Sequence, residues 1–152
     1  AASDVYKRQL EGTEIIGAFL ARELAKEGHT SINSGKDICV ITPETNANNQ
    51  MIFRDNIQKH VFNKQILLLI SSASTGKTIN RSVECLQYYN GQLAGVASIF
   101  SAINEHNGIQ INSIFTSEDL NNYETMSAHD CKLCKSGQKV DAIINSFGYS
   151  KI

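Results

Sequence analysis

The stretch ILLLISSASTGKT, residues 66–78, passes directly from five apolar residues into small hydroxyl residues, glycine and lysine. An apolar run followed by such a polar turn is typical of a buried strand of a parallel sheet. The small side chains let backbone N–H groups converge, and the helix that follows offers its positive N-terminal end. Ser74, Thr75 and Thr78 add hydroxyl donors. The stretch therefore predicts a strand, a phosphate-binding turn and a helix in succession.

The rest of the chain alternates helical and extended patterns around this stretch. Apolar residues at helical spacing predict helices over residues 12–27 and 77–90. Short apolar runs predict strands at residues 37–42, 51–53, 65–70, 95–102 and 109–115. Residues 44–50 predict a polar loop, and the tail from His129 is expected to be irregular. Alternating strands and helices imply crossover connections, so we expect an α/β fold of Rossmann-like type, a mainly parallel sheet flanked by helices.

Composition narrows the class of protein. The chain has 152 residues, 41% of them hydrophobic, which is enough for one domain with an ordinary core. Its net charge is -1 and its basic residues are scattered, so no basic stripe favours nucleic acid as a ligand. No apolar run approaches the ~20 residues of a membrane-spanning helix, so no membrane partner is expected. Four cysteines without an apolar leader predict reduced thiols and a cytoplasmic protein.

The first nine residues, AASDVYKRQ, lack an initiator methionine. From Asp4 onward they resemble the translated adaptor read-through that occurs in metagenomic assemblies. We therefore expect residues 1–9 to be non-native and residues 10–152 to form one domain that is truncated at its N-terminus.

One interpretation of the central stretch is a nucleotide-hydrolysing P-loop. Ser71-x-x-x-x-Gly76-Lys77-Thr78 differs by one residue from the Walker A pattern, because serine replaces its first glycine. Such an enzyme also needs a carboxylate for magnesium, usually at the end of a neighbouring strand, and the predicted strand 95–102 ends without one. A P-loop nucleoside triphosphatase is thus one alternative.

Residues 66–78 resemble more closely the ribose-phosphate loop of type I phosphoribosyltransferases. In that family four or five apolar residues, two acids and two small residues precede Thr-Thr-Gly-x-Thr. Residues 11–21, EGTEIIGAFLA, resemble the family's early glycine-containing loop and helix, and the polar segment 46–56 stands where the family has a mobile catalytic loop. Residues 131–137, CKLCKSG, are similar to the Cys-x-Leu-Cys-x-x-Gly tail of some orotate phosphoribosyltransferases. The resemblance covers most of the chain from Glu11 onward.

The resemblance implies a function. The protein would bind phosphoribosyl pyrophosphate (PRPP) with Mg²⁺ and transfer the phosphoribosyl group to a nucleobase of the orotate type, in pyrimidine biosynthesis, releasing pyrophosphate. It also implies a homodimer in which one subunit's loop completes the other's site.

The resemblance also implies site residues. The PRPP phosphate would be bound by Ser71, Ser72, Ala73, Ser74, Thr75, Gly76, Lys77 and Thr78. The pyrophosphate loop would contain Gly12, Thr13 and Glu14. Arg54 and Lys59 would act as catalytic cations at the pyrophosphate; the alternative for both is a solvated surface charge.

The chain departs from the family at one point. Where the family has two adjacent acids that bind the ribose hydroxyls, this chain has Ile70 and Ser71. A hydrogen bond to a charged group contributes about 1.5–3 kcal/mol and a neutral one about 1 kcal/mol. The loss of both acids favours a second alternative, a degenerate, non-catalytic module that binds PRPP or a nucleotide.

A Cys-x-x-Cys pair near the C-terminus is the last candidate site. Two thiolates at this spacing can share a zinc ion, so Cys131, Cys134 and His129 form a possible zinc set. A redox pair and a structural turn are the other interpretations.

Overall fold

A computed structural model describes residues 3–7, 13–26, 37–46, 50–126, 129–145 and 148–152. The elements in chain order are β1 (Ser3–Lys7), α1 (Thr13–Ala25), β2 (Val40–Ile41), β3 (Glu44–Thr45), β4 (Met51–Ile52), α2 (Asp55–Gln58), β5 (Gln65–Ala73), α3 (Lys77–Tyr88), β6 (Gln92–Ser101), β7 (Glu105–His106), β8 (Ile109–Thr116), a 3-10 helix (Ser117–Asp119), α4 (Lys132–Lys135), β9 (Ala142–Asn145) and β10 (Gly148–Lys151).

A six-stranded sheet organises the fold, in the order β2-β1-β5-β6-β8-β7. The neighbours from β2 to β8 pair in parallel, and β7 pairs antiparallel with β8 at the edge. The helix α3 forms the crossover between the adjacent parallel strands β5 and β6. A mainly parallel sheet with flanking helices confirms the predicted fold class.

The central strand β5 buries side chains on both faces of the sheet, as a strand covered by helices on two sides must. One face packs against α3 in a cluster that contains Ile66, Leu68 and Ile79. On the opposite face Leu69 packs with Ala21 of α1. The core therefore fixes the position of β5 and of the helix that follows it.

The strand β5 is longer than the sequence predicts. The expected end was residue 70, but Ser72 and Ala73 still pair with Phe100 and Ser101 of β6. Backbone pairing is indifferent to the polarity of these small side chains, which is why the apolar run underestimates the strand. The turn before α3 is consequently confined to residues 74–76.

Two other segments are more ordered than predicted. The segment 44–50, predicted to be a polar loop, begins with strand β3, which forms a hairpin with β4. In it Glu44 pairs with Ile52 and Thr45 with Met51. The prediction of an irregular tail was wrong, because α4 forms a helical turn and β9 pairs antiparallel with β10. Pairing between separate segments decides both hairpins, and local composition does not reveal it.

The strand β1 lies within the segment expected to be non-native. It pairs in parallel with β5 on one side and with β2 on the other. That residues 1–9 are non-native stays a prediction. Among the residues described here, no helix has both the length and the apolar character needed to cross a membrane.

Truncation of Leu68 tests the central role of β5. Leu68 is 0% exposed, so Leu68→Ala removes transfer energy and leaves a cavity; we expect a loss of about 2–5 kcal/mol in the free energy of unfolding. Urea denaturation followed by circular dichroism measures it. The control is Ile114→Ala on β8, where the side chain is 70% exposed and the expected change is within about 0.5 kcal/mol. Equal losses in the two variants would contradict the assigned core.

Candidate phosphate-binding site

The candidate site is the turn between β5 and α3. The strand ends at Ala73, the helix begins at Lys77, and Gly76 is the residue before the first helical position. Gly76 has φ 72° and ψ -4°, in the left-handed region where a residue with a side chain is strained. Glycine at this position lets the chain turn sharply enough to start a helix directly from the sheet.

The turn encloses a small cavity of about 130 Å³. Its lining consists of Ser72, Ala73, Ser74, Thr75, Gly76, Lys77, Thr78 and Ile79. Seven of these eight residues were predicted to bind phosphate, and the structure brings them together around one space. The eighth predicted residue, Ser71, is half-buried in β5 and does not line the cavity.

The backbone of this turn presents N–H donors. Within the continuous described stretch 50–126, the N–H groups of residues 74–79 donate to no protein acceptor, and the first bond of α3 runs from Asn80 N to the Gly76 carbonyl at 3.0 Å. By contrast, the Ala73 carbonyl accepts from Ala102 N at 2.8 Å and from Ser101 Oγ at 3.4 Å. Unpaired N–H donors at the start of a helix favour an anion.

The electrostatics of the helix end act in the same direction. The first turn of α3 contains Lys77 and no acidic residue. The helix dipole adds a partial positive charge at this end. The arrangement can therefore hold a phosphoryl group with backbone N–H groups, hydroxyl groups and a lysine.

A histidine that the sequence does not single out lies against the turn. A Cβ added to Gly76 would come within 2.2 Å of His106 Nδ1, so the imidazole ring packs directly on this glycine. His106 Nε2 lies 2.9 Å from Asn80 Oδ1, and Asn107 Nδ2 donates to the same oxygen at 3.1 Å.

The contact with His106 depends on the hairpin of β7 and β8. Asn107 and Gly108 form its turn with φ of 52° and 77°. The Asn-Gly pair predicts this turn from sequence. No spacing signal relates residue 106 to residue 76, because the contact arises from the placement of strands that are distant in sequence.

The predicted catalytic cations lie elsewhere. Arg54 donates from Nε and Nη2 to the Glu44 carboxylate at 2.5 and 2.7 Å, a bidentate pair at the protein surface. The hydrogen bond to Arg54 lowers the pKa of Glu44, and the same bond raises the pKa of Arg54. Lys59 is exposed at the end of α2. Neither cation lines the phosphate cavity, and their role at pyrophosphate stays a prediction.

The predicted pyrophosphate loop is described only in part. Gly12 lies outside the described residues, and Thr13 and Glu14 are the first two residues of α1. The carboxyl end of β1, which precedes this helix, lies at the same edge of the sheet as the turn after β5, because the two strands pair in parallel.

Metal ligands do not converge in the described part of the chain. No group of three or more His, Cys, Asp or Glu side chains there is arranged to hold a metal ion. His129, Cys131 and Cys134 are all described, and they do not form such a group. Residues 71–79 also contain no carboxylate, so the phosphate turn offers Mg²⁺ no carboxylate ligand of its own.

Comparison with known proteins identifies the fold. Neither a protein-family model nor a curated protein sequence matches the chain. Among solved structures, a phosphoribosyltransferase from Corynebacterium diphtheriae is similar at a TM-score of 0.50 and 16% identity, over 80% of this chain and 72% of that chain. Adenine phosphoribosyltransferase from Thermoanaerobacter pseudethanolicus is similar at a TM-score of 0.52 and 14% identity, over 76% of this chain and 70% of that one.

A third similar structure contains a bound substrate. It is the Mycobacterium tuberculosis orotate phosphoribosyltransferase in complex with PRPP, at a TM-score of 0.51 and 18% identity. The match covers 80% of this chain and 66% of that chain. At these identities the likeness establishes the fold: the chain has the fold of the type I phosphoribosyltransferases, as the sequence resemblance predicted.

Substitution of Gly76 tests the architecture of the turn. Gly76→Ala places a Cβ at positive φ and against His106, so we expect the strain of about 1–2 kcal/mol plus a clash. Gly137→Ala is the matched control, because Gly137 has φ 76° and open space around it. Urea unfolding should therefore show a larger loss at Gly76 than at Gly137.

A double variant separates strain from clash. In Gly76→Ala, the loss in the free energy of unfolding beyond that of Gly137→Ala comes from the clash with His106. Adding His106→Ala removes the ring, so we expect the double variant to recover that part of the loss. A double-mutant cycle measures this coupling. Strictly additive losses would show that the ring does not pack on Gly76.

Proposed function

We propose that the chain binds PRPP through the turn after β5 and transfers its phosphoribosyl group to a nucleobase of the orotate type, releasing pyrophosphate. The observation that carries the proposal is the row of N–H groups at residues 74–79 that have no acceptor among the described residues, at the carboxyl edge of a phosphoribosyltransferase-type sheet. A cytoplasmic homodimer that acts in pyrimidine biosynthesis completes the proposal.

The 5′-phosphate of PRPP fits the donor set of the turn. Residues 74–78 line one small cavity, and Ser74, Thr75 and Thr78 add hydroxyl groups to its lining. Each hydrogen bond to a charged phosphate contributes about 1.5–3 kcal/mol, so a few of them suffice for specific binding. The Lys77 ammonium group adds an attraction that depends on ionic strength.

The proposed transfer needs few reactive groups from the protein. The bond between the anomeric carbon and pyrophosphate breaks, and a nitrogen of the base bonds to that carbon through an oxocarbenium-like transition state. The chain holds the phosphate end of the sugar while charge develops on the ribose ring. Mg²⁺ would be held mainly by the substrate's phosphates, since the turn has no carboxylate.

A non-catalytic binding module is the second candidate, and one observation favours it. Ile70 is 2% exposed and belongs to the core cluster beside α3, and Ser71 carries no charge. Neither residue can give the ribose hydroxyls a carboxylate acceptor. This candidate uses the same phosphate turn, so binding alone does not distinguish it from an enzyme.

The geometry disfavours the P-loop nucleoside triphosphatase. A Walker A loop wraps the phosphates with all the residues between its two glycines. Here Ser72 and Ala73 remain paired with β6, and only residues 74–76 are left as a turn. Three residues form a cradle for one phosphoryl group.

Charge reversal at Thr75 tests phosphate binding. Thr75 is exposed and lines the cavity, so Thr75→Glu adds a negative charge at the proposed phosphate position without disturbing the core. We expect titration calorimetry to show wild-type binding of PRPP and ribose 5-phosphate, and a loss of at least about tenfold in the variant. Gln87→Glu, which adds the same charge to the exposed far end of α3, should bind as the wild type does. Equal binding by both variants would refute the site.

Turnover distinguishes the enzyme from the binding module. Pyrophosphate release is measured with PRPP, Mg²⁺ and a panel of bases that includes orotate. We expect release with orotate, and a faster rate in Ser71→Asp, by about two- to thirtyfold, because a carboxylate acceptor replaces a neutral one. Saturable PRPP binding without release in either protein would establish the non-catalytic module. ATP hydrolysis would support the nucleoside triphosphatase instead.

A further inference from the structure

A helical turn near the C-terminus brings two cysteines together. Cys131 is the residue before α4, and Cys134 lies within the helix. Backbone N–H of Cys134 donates to Cys131 Sγ at 3.3 Å. Residues three apart in a helical turn lie on the same side, so the two thiols are neighbours.

The turn is stabilised by its own hydrogen bonds. Lys135 N donates to the Cys131 carbonyl at 3.0 Å, and Gly137 N donates to the Cys134 carbonyl at 3.1 Å. No residue of α4 is buried. Because the turn does not depend on the core of the domain, a change in the bonding of its two sulfurs leaves the sheet and the phosphate turn intact.

Exposure separates these two cysteines from Cys85. Cys134 is exposed and Cys131 is half-buried, whereas Cys85 is buried and donates to the Met51 carbonyl at 3.4 Å. Lys132 and Lys135 flank the pair and form long surface ion pairs with Glu124 and Asp130, at 3.6 and 3.7 Å. A small molecule can therefore reach the pair from solvent, in surroundings of mixed charge.

The two thiols are electronically unequal. The backbone hydrogen bond from Cys134 lowers the pKa of Cys131, and the Cys134 thiol lowers it further by donating to the same sulfur. The same interaction raises the pKa of Cys134. Cys131 is thus the better thiolate, and Cys134 keeps its proton beside it.

We propose that Cys131 and Cys134 form a redox-active dithiol that exchanges with small-molecule disulfides, with Cys131 as the attacking sulfur and Cys134 as the resolving sulfur. The Cys131 thiolate attacks one sulfur of the disulfide, a mixed disulfide forms, and one thiolate leaves. Cys134 then loses its proton and attacks Cys131 Sγ, so that the second thiol leaves. The protein dithiol is oxidised to one disulfide and the small disulfide is reduced to two thiols.

The test uses the full chain with glutathione disulfide, followed by alkylation of free thiols and peptide mass spectrometry. The wild type should form a disulfide between Cys131 and Cys134. Cys134→Ser should accumulate a mixed disulfide with glutathione on Cys131. Cys131→Ser should react at residue 134 more slowly than Cys134→Ser reacts at residue 131, because the backbone N–H of residue 134 still donates to Cys131 Sγ and stabilises its thiolate. Cys39→Ser, which removes a thiol outside the pair, should behave as the wild type does.

Three results would overturn the proposal. These are equal reaction rates of the two single cysteines, a disulfide between two chains in place of the internal one, and stoichiometric zinc on the purified pair that blocks exchange. Unfolding transitions of the variants confirm that the serine substitutions leave the domain folded. The outcome is independent of PRPP binding, since the sheet does not hold this turn.

Discussion

The position of β5 between two parallel neighbours is the constraint on which the site depends. Both edges of this strand are hydrogen-bonded, to β1 and to β6, and its two faces are covered by α1 and α3. A strand fixed on four sides cannot shift in register without exposing its apolar residues. The turn after Ala73 and the start of α3 are therefore held at one place on the edge of the sheet.

The N–H donors that favour an anion at this turn follow from its placement and not from the net charge of the chain. The chain carries a net charge of -1, yet the turn presents N–H groups for which the described part of the chain supplies no acceptor. The neighbouring strand occupies one competing acceptor, because Ala102 N and Ser101 Oγ bond to the Ala73 carbonyl. Gly76 permits the left-handed backbone and the close approach of His106.

In this protein the fold is retained although two acids that the resemblance predicts are absent. Ile70 occupies one of the two positions where the resemblance places an acid, and it packs into the core beside α3. The sheet and the turn keep their geometry, so the part of the site proposed to bind a phosphate is intact, while the part that would bind the ribose is neutral. The proposed dithiol is independent of both parts of this site, since α4 is stabilised by local hydrogen bonds.

The sequence by itself determined the features that depend on neighbouring residues. An apolar run, a glycine before a lysine and helical spacing identify β5, the turn at residues 74–76 and α3, because burial, backbone freedom and helix periodicity are local properties. The resemblance to phosphoribosyltransferases likewise rested on contiguous motifs, and it identified the fold correctly.

Only the tertiary structure decided what depends on distant residues. It extended β5 to Ala73 through pairing with β6, placed His106 on Gly76, engaged Arg54 with Glu44 and paired β9 with β10. Each of these contacts joins segments whose relation is set by sheet order and hairpin geometry. A hydrogen bond or packing contact between separate segments does not alter the residue pattern of either segment. It therefore cannot be predicted from the sequence of one segment alone.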